Sequence, residues 1–336
     1  MLKNYQKTTL KKLTSFLKKC AIEKNVPEAY AESTKENFGE IALYNNAGFE
    51  NLPYVCLRLP TGGGKTILAA HSVGIACKEF LARDFSLAIW LVPSNQILEQ
   101  TYDALSDTHH PYRKALDEYF NGNVEILKVD EARNIQKSTL QLNTTIIIST
   151  FASWRVDKKE GRKVYSQNGN LSTHFENLKV STTETLEKYD NTNRPIPSLA
   201  NVVYLNNPLF IIDEAHNART ELTFEVFKRL NPSCIIEFTA TPKTKGKDRS
   251  NVLFSVSATE LKAEDMIKMP IELSAIPEWQ NTIKEAVKKQ QHLEELAKEE
   301  EISSGEYIRP IVLFQAQHDS QTESTINVNK NKQINI

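Results

Sequence analysis

The hydrophobic and polar positions of the chain alternate between short apolar runs and segments with helical periodicity. The apolar runs are four to seven residues long, which is typical of buried strands. They lie at residues 54–57, 86–92, 124–127, 145–148, 209–212 and 234–238. Helix-compatible segments separate the runs, including one after Ser94, a plausible helix cap. This alternation predicts an α/β domain with a doubly wound, mostly parallel sheet.

Three segments depart from this alternation. The first twenty residues carry six lysines and no acidic residue. Their apolar residues recur at helical spacing, which predicts a surface helix with its lysines in solvent; these are Leu10, Leu13, Phe16 and Leu17. Residues 26–51 are polar and predict an irregular connector with short helical pieces. A polar insertion at about 155–200 has few periodic apolar positions, so we expect a loop insertion or partial disorder there.

The C-terminal part of the chain reads as the opening of another domain. Residues 281–302 are charged and favour a helix, and residues 309–315 again look like a buried strand. We therefore predict one complete domain at 1–270, a helical connector at 271–305 and the start of a second domain at 306–336. Because this last segment is too short to bury a core, we expect that the chain is cut short.

Composition narrows the class of protein without identifying it. The hydrophobic fraction of 40% and the charged fraction of 25% are ordinary for globular proteins. The net charge is −1, so any nucleic-acid contact must come from a local surface. The four cysteines are far apart and show no C-x-x-C spacing, which argues against a zinc site and favours reduced thiols in the cytoplasm. No apolar run approaches the ~20 residues that a bilayer requires, so we expect no membrane partner.

Residues 58–66, R-L-P-T-G-G-G-K-T, predict a phosphate-binding loop between a strand and a helix. Glycines let backbone N–H groups close around phosphate oxygens, and the helix N-terminus adds a favourable dipole. Lys65 would reach the β- and γ-phosphates, and the Thr66 hydroxyl would bind Mg²⁺. The general pattern has another glycine where this chain has Leu59. A flexible glycine loop with an ordinary Lys-Thr pair therefore remains an alternative.

A second signal supports the nucleotide interpretation. The apolar run at 209–212 is followed directly by Asp213 and Glu214. An acidic pair at the carboxyl end of a buried strand is where a magnesium ligand and a water-activating carboxylate belong. The two signals together, in this order, predict a nucleotide-hydrolysing motor or a derivative of one.

These motifs resemble those of the DEAD/DEAH-box helicases of superfamily two, and most closely the motor subunit of type III restriction endonucleases and their defence-system relatives. L-P-T-G-G-G-K-T resembles motif I, L-V-P-S-N-Q-I-L-E-Q-T motif Ia, I-I-S-T-F motif Ib, F-I-I-D-E-A-H motif II and T-A-T-P motif III. Y-I-R-P-I-V-L-F-Q-A-Q resembles the first strand of a second RecA-like domain. The resemblance covers nearly the whole chain and implies a RecA-like P-loop NTPase domain followed by the beginning of a second one.

The resemblance implies roles for individual residues around a bound nucleotide. It assigns the triphosphate and its metal to Thr61, Gly62, Gly63, Gly64, Lys65 and Thr66. Asp213 would bind Mg²⁺ through water, and Glu214 would be the general base for the attacking water. Gln6 would read the adenine edge. Without the resemblance, Gln6 would be an ordinary surface glutamine.

The resemblance also implies residues that couple the nucleotide to a nucleic acid. His216, Thr239 and Thr241 would link hydrolysis to movement, although His216 alone could be a buried structural histidine. Contacts to the sugar–phosphate backbone are implied for Pro93, Ser94, Gln96, Ser149 and Thr150. Ser149 and Thr150 could instead simply cap the end of a strand. Contacts of this kind track a strand without reading its sequence.

The implied function is ATP-dependent movement on DNA by the motor of a type III restriction-modification or related defence enzyme, with ATP and Mg²⁺ as cofactors. The implied partners are DNA and either a modification subunit or the missing C-terminal half. Two alternatives stay open: a fragment that binds ATP and nucleic acid without appreciable turnover, and an RNA helicase of the same superfamily. Since the superfamily takes catalytic arginines from its second domain, we expect this chain alone to hydrolyse ATP barely above background.

Overall fold

The computed structural model describes residues 2–155, 163–214, 219–266, 276, 278–305 and 307–314. The chain divides into two compact units, Met1–Met269 and Pro270–Ile336. The first unit contains the whole sheet, and the second contains one long helix. His216 lies outside the described residues, as do residues 156–162 of the predicted insertion.

The first unit is built on a seven-stranded sheet in which each strand runs parallel to its neighbours. The strands are β1 (Tyr54–Arg58), β2 (Leu87–Val92), β3 (Val124–Lys128), β4 (Thr144–Thr150), β5 (Leu209–Asp213), β6 (Cys234–Thr239) and β7 (Val252–Ser255). Their order is β3-β4-β2-β5-β6-β1-β7. The predicted α/β class, parallel sheet and six apolar strands are confirmed. β7 was not predicted, because it is a short edge strand with half-exposed positions.

Helices cover both faces of the sheet. They are α1 (Asn4–Glu23), α2 (Val26–Phe38), α3 (Lys65–Ile75), α4 (Asn95–Ser106), α5 (Pro111–Phe120), α6 (Val129–Ala132), α7 (Lys137–Leu142), α8 (Val180–Glu184), α9 (Leu199–Leu205), α10 (Glu221–Leu230) and α11 (Ala258–Ala263). Successive residues of a strand point to opposite faces. In β2, for example, Trp90 belongs to one buried cluster while Ile89 and Leu91 belong to the other. Burial on both faces explains why the strands read as continuous apolar runs.

The N-terminal helices are longer than the sequence suggested. α1 buries the four predicted apolar residues and begins at Asn4, so Tyr5 and Gln6 lie in its first turn. The prediction of an irregular connector at 26–51 is wrong for its first half, which forms the 13-residue helix α2. The Asn25 side chain caps this helix, and Gly39, at φ 80°, ends it. These caps specify the helix although its apolar stripe is weak.

The described part of the predicted insertion is packed against the sheet domain. Val164, Tyr165 and Leu171 are buried in the cluster that contains Ile89 and Leu91, and Leu186 is also buried. They lie in turns and in a 3₁₀ segment, Gly169–Phe175, where buried residues show no helical or strand periodicity. The expectation of partial disorder is therefore wrong for residues 163–200.

The second unit contains α12 (Trp279–Ser304), which confirms the predicted charged helix and ends at Gly305. Residues 307–314 form no strand, and Ile311 and Leu313 are 83% and 88% exposed. The apolar run there has no neighbouring strand within the described part of this unit, and an isolated strand is not stable in water. Among the helices that the structure describes, none is long and apolar enough to cross a membrane.

Candidate functional site

The carboxyl ends of five strands meet along one edge of the sheet. Strand register places Arg58 of β1 beside Thr239 of β6, and Asp213 of β5 beside the residue before Thr239. On the other side, Val92 of β2 pairs with Thr150 of β4. Because the strands are parallel, the loops after β1, β2, β4, β5 and β6 all leave at this edge. This is where ligands bind in open α/β sheets.

The phosphate loop connects β1 to α3 along this edge. Gly62 and Gly64 have φ angles of 81° and 73°, which residues with side chains adopt only under strain. Gly64 is the N-cap of α3, and no side chain in the described structure caps this helix. The first-turn N–H groups of this 11-residue helix therefore have no side-chain partner among the described residues, an arrangement that favours anions.

The first turn of α1 holds the phosphate loop from behind. The Tyr5 hydroxyl donates to the Gly63 carbonyl at 3.0 Å, and Gln6 Nε2 donates to the same carbonyl at 3.4 Å. Gln6 Oε1 accepts from the Lys3 N–H at 2.9 Å. A Cβ atom at Gly64 would lie 2.4 Å from Gln6 Nε2, so a side chain there would displace the Gln6 amide in addition to straining a backbone at φ 73°. Gln6 is buried and is not an ordinary surface glutamine.

The acidic pair after β5 faces the phosphate loop. Lys65 Nζ makes an ion pair with Glu214 Oε1, and the two side chains are 9% and 27% exposed. Glu214 has a φ of 54°, a left-handed conformation that costs a residue with a Cβ roughly 1–2 kcal/mol. The lysine is thus neutralised by the carboxylate that the sequence assigns to water activation. This contact joins the two predicted motifs into one site.

Asp213 supplies the buried carboxylate of the site. Its Oδ1 atom is buried without a hydrogen-bond partner among the described residues. Burial, and secondarily the charge of Glu214, raises the pKa of Asp213 to about 6, although Lys65 opposes this shift. No group of three or more His, Cys, Asp or Glu side chains in the described part of the chain could hold a metal. An orphaned carboxylate oxygen fits Mg²⁺, which usually takes one or two carboxylates together with substrate phosphates.

A cavity of about 190 Å³ opens beside the acidic pair. Asp213 and Glu214 line this cavity together with residues at the carboxyl ends of β2 and β4. Its lining is Val92, Pro93, Thr150, Phe151, Ala152, Arg155, Asp213, Glu214 and Thr223. Two residues predicted to contact a nucleic acid, Pro93 and Thr150, thus lie next to the predicted catalytic carboxylates.

A family model described as "Type III restriction enzyme, res subunit" matches residues 1–244. The chain belongs to this family. The predicted family, the type III restriction subunit among the superfamily-two helicases, is confirmed.

Two solved structures are similar to the chain at low identity. The first is a nuclease-deletion mutant of the Type ISP restriction-modification enzyme LlaGI in complex with a DNA substrate mimic, at 14% identity and a TM-score of 0.39. The second is the Sulfolobus solfataricus SWI2/SNF2 ATPase core in complex with dsDNA, at 18% identity and a TM-score of 0.28. The matches cover 79% and 61% of this chain but 21% and 30% of those chains. No curated protein matches the sequence.

In this res-subunit family member, most residues predicted to contact a nucleic acid lie at the loop edge. Pro93, Ser94 and Gln96 are exposed at the start of α4, where Ser94 Oγ accepts from the Ile97 N–H as a cap. Ser149 is different, since it is fully buried and its hydroxyl accepts from Trp154 Nε1 at 2.8 Å. The Ser149 hydroxyl is therefore not exposed in this structure, and the nucleic-acid contact implied for Ser149 stays a prediction.

The turn that resembles motif III is tied to the phosphate loop. Thr239 is buried and its Oγ1 accepts from the N–H of Thr241, which is exposed. The Thr239 carbonyl accepts from the Leu59 N–H at 3.1 Å, and the Ala240 carbonyl accepts from Arg58 Nε at 3.3 Å. A displacement of the phosphate loop would thus act on residues 239–241 through these two hydrogen bonds.

An ion pair close to this turn was not predicted from the sequence. Glu237 of β6 is fully buried and meets the guanidinium of Arg219. The signal was present, because a single acidic residue inside an apolar strand must find a partner when the strand is buried. Spacing alone could not identify that partner.

The raised pKa of Asp213 leads to a prediction about stability. The folded state favours the protonated carboxyl, so the ionised form lowers stability above pH 6, and this loss disappears below about pH 4. Without nucleotide or Mg²⁺, Asp213→Asn should raise the free energy of unfolding at pH 8 by about 1–3 kcal/mol. Denaturant unfolding at pH 8 and pH 4 measures this difference, which should shrink at the lower pH. An Asn variant that is less stable than wild type at pH 8 would contradict the burial argument.

Proposed function

We propose that this chain is the ATP-driven motor part of a type III restriction-modification or related defence enzyme, which hydrolyses Mg·ATP to move on DNA. The observation that carries the proposal is the ion pair between Lys65 of the phosphate loop and Glu214 of the acidic pair. It joins a phosphate-binding lysine and a candidate general base in one half-buried site. Family membership supports the same function.

The residues of the site have distinct tasks in this proposal. The α3 N-terminus and the loop glycines bind the triphosphate, and Lys65 exchanges Glu214 for the β- and γ-phosphates. Glu214 is then released to orient the attacking water and to accept its proton. Asp213 and Thr66 would hold Mg²⁺, which supplies charge neutralisation at the transferring phosphoryl group.

The proposal assigns coupling to the loops that share the edge. The 239–241 turn is bonded to the base of the phosphate loop, so a change in nucleotide state reaches it without an intermediary. Pro93 and Thr150 line the cavity beside Glu214, and Ser94 and Gln96 continue the exposed surface along α4. We propose that this surface contacts the DNA backbone and not the base edges, which is sufficient for sequence-independent movement. Site recognition would then come from a modification subunit or another part of the enzyme.

Steady-state ATP hydrolysis with duplex DNA, with RNA or with neither tests the proposal. We expect turnover by this chain alone to stay close to background, with the small excess over background stimulated by duplex DNA and little affected by RNA. Stimulation by RNA alone would mean an RNA helicase. ATP binding without turnover under every condition would mean a nucleotide-binding protein that is not a motor by itself.

Gln6 offers a test of base recognition. Its amide lies on the phosphate loop, where a neutral hydrogen bond to adenine is worth ~0.5–1.5 kcal/mol. Gln6→Ala should therefore reduce the preference for ATP over GTP by about 2- to 10-fold. Calorimetric affinities for both nucleotides measure this ratio, with the exposed Thr8→Ala as a control on the same helix. An unchanged ratio would leave Gln6 as a support of the loop only.

A further inference from the structure

A fully buried ion pair connects β6 to the segment that follows the acidic pair. Arg219 Nε lies 3.0 and 3.1 Å from the two carboxylate oxygens of Glu237, and Nη2 lies 2.9 Å from Oε2. The side chains are 2% and 0% exposed. This two-pronged arrangement is the strongest and most directional form of an ion pair.

Two further segments join the same pair. The Tyr54 hydroxyl, at the start of β1, donates to Glu237 Oε1 at 2.5 Å, and the Arg219 guanidinium lies 4.5 Å from the centre of the Tyr54 ring. Arg219 Nη1 also donates to the carbonyls of Asp248 and Arg249, at 3.0 and 2.7 Å. We call Arg219, Glu237 and Tyr54 the buried triad.

The segments that meet at the buried triad are those that supply the site. Tyr54 begins the strand that leads into the phosphate loop, and Glu237 lies two residues before Thr239. Arg219 lies five residues after Glu214. The loop that contains Asp248 is the continuation of the 239–241 turn. The triad therefore joins the strand that leads into the phosphate loop, the strand that ends in the 239–241 turn and the loop that follows this turn.

Stability alone is a weak reason for such an arrangement. Buried ion pairs are often replaced by apolar residues of similar volume with no loss of stability, because removing two charges from water offsets most of their attraction. The directional bonds of the triad instead hold the segments at defined distances. They also engage all three guanidinium nitrogens of the buried Arg219, so this arginine is not placed to contact a transferring phosphoryl group.

Resting on the function proposed above, we propose that Arg219 is a positioning residue, which through Glu237 and Tyr54 holds the 239–241 turn and the strand that leads into the phosphate loop in the relative position that ATP turnover and its coupling to DNA require. It does not touch the nucleotide. A misplacement of about 1 Å can lower a rate by ~10²-fold while leaving ground-state binding intact.

The test separates positioning from folding by changing all three residues. Replacing Arg219 or Glu237 alone leaves its partner's buried charge unpaired. Such a change is expected to lower the melting temperature by ~10 °C or to prevent folding. The variant Arg219→Met/Glu237→Leu/Tyr54→Phe instead fills the space with apolar groups and leaves no buried charge. The matched control is Arg229→Met/Glu187→Leu, which removes an ion pair that is 36% and 26% exposed in the same unit.

We expect the apolar triad variant to keep its melting temperature within a few degrees and its Mg·ATP affinity within ~3-fold, because nucleotide contacts are untouched. Its DNA-stimulated kcat should fall by ~10- to 100-fold, and the control should be unchanged. Hydrogen exchange at residues 239–241 gives a second readout that needs no turnover. Mg·ATP should alter this exchange in wild type and in the control but not in the apolar triad variant.

Each outcome decides one claim. An apolar triad variant with normal stability, normal kcat and a normal exchange response would show that the triad is structural and overturn this inference alone. A wild-type chain that does not bind Mg·ATP would overturn the proposed function, and the positioning role with it. If the wild type binds Mg·ATP without turnover, the hydrogen-exchange response at residues 239–241 tests the positioning role: the same response in wild type and in the apolar triad variant would overturn it.

Discussion

Replacing Glu214 by Gln is expected to lower ATP turnover by ~10²–10⁴-fold while leaving Mg·ATP binding intact. The amide keeps the size of the side chain and its left-handed backbone position, but it cannot accept the proton of the attacking water. The variant should even bind Mg·ATP slightly more tightly than wild type, because Lys65 then has no ion pair with residue 214 to break before it contacts the phosphates. Steady-state hydrolysis with DNA present, together with calorimetric affinity, measures both effects.

The matched control for this prediction is Glu225→Gln, which changes an exposed acid on α10, eleven residues after Glu214. It should have wild-type turnover and affinity. Undiminished turnover in Glu214→Gln would show that another group accepts the proton of the attacking water.

Replacing Lys65 by Ala is the second large effect that we expect. A charge-assisted contact to phosphate contributes ~1.5–3 kcal/mol, so Mg·ATP should bind about 10- to 150-fold more weakly. Lys65 begins α3 and its side chain is nearly buried, whereas Glu214 is partly exposed and can be solvated when its partner is gone. The fold should therefore survive the change.

The Mg·ATP affinity of the Lys65→Ala variant is compared by calorimetry with that of Lys11→Ala. This control removes an exposed lysine of α1, so both variants have the same net charge. Lys11→Ala should bind Mg·ATP like wild type. Equal affinities in the two variants would remove Lys65 from the phosphate site.

The sequence predicted the sheet well because its strands are buried on both faces. A residue run such as that of β2 must be apolar at every position, and such a run is visible without any knowledge of its neighbours. β7 and α2 lacked this signal, since one is a half-exposed edge strand and the other is specified by its caps. The packed residues of the 163–200 segment were missed because their burial depends on long-range contacts and follows no period.

The site was predictable in its chemistry but not in its contacts. Motif spacing identified Lys65 and Glu214 separately, whereas their ion pair arises from the order of β1, β6 and β5 in the sheet. The burial of Ser149 depends on the 3₁₀ turn Phe151–Trp154, which brings the Trp154 side chain against the Ser149 hydroxyl. The partnership of Arg219 with Glu237 needs the same kind of tertiary information.

The central claim is that the loop at the N-terminus of α3 is a triphosphate site that works with Asp213 and Glu214. Calorimetric titration of Mg·ATP into the wild-type chain tests it most directly, with AMP as the matched ligand that lacks the β- and γ-phosphates. The account predicts a single saturable site for Mg·ATP and an affinity for AMP that is lower by ~10-fold or more, because the contacts from Lys65 and the α3 N–H groups are lost. Equal binding of the two nucleotides, or no saturable binding of Mg·ATP, would contradict it.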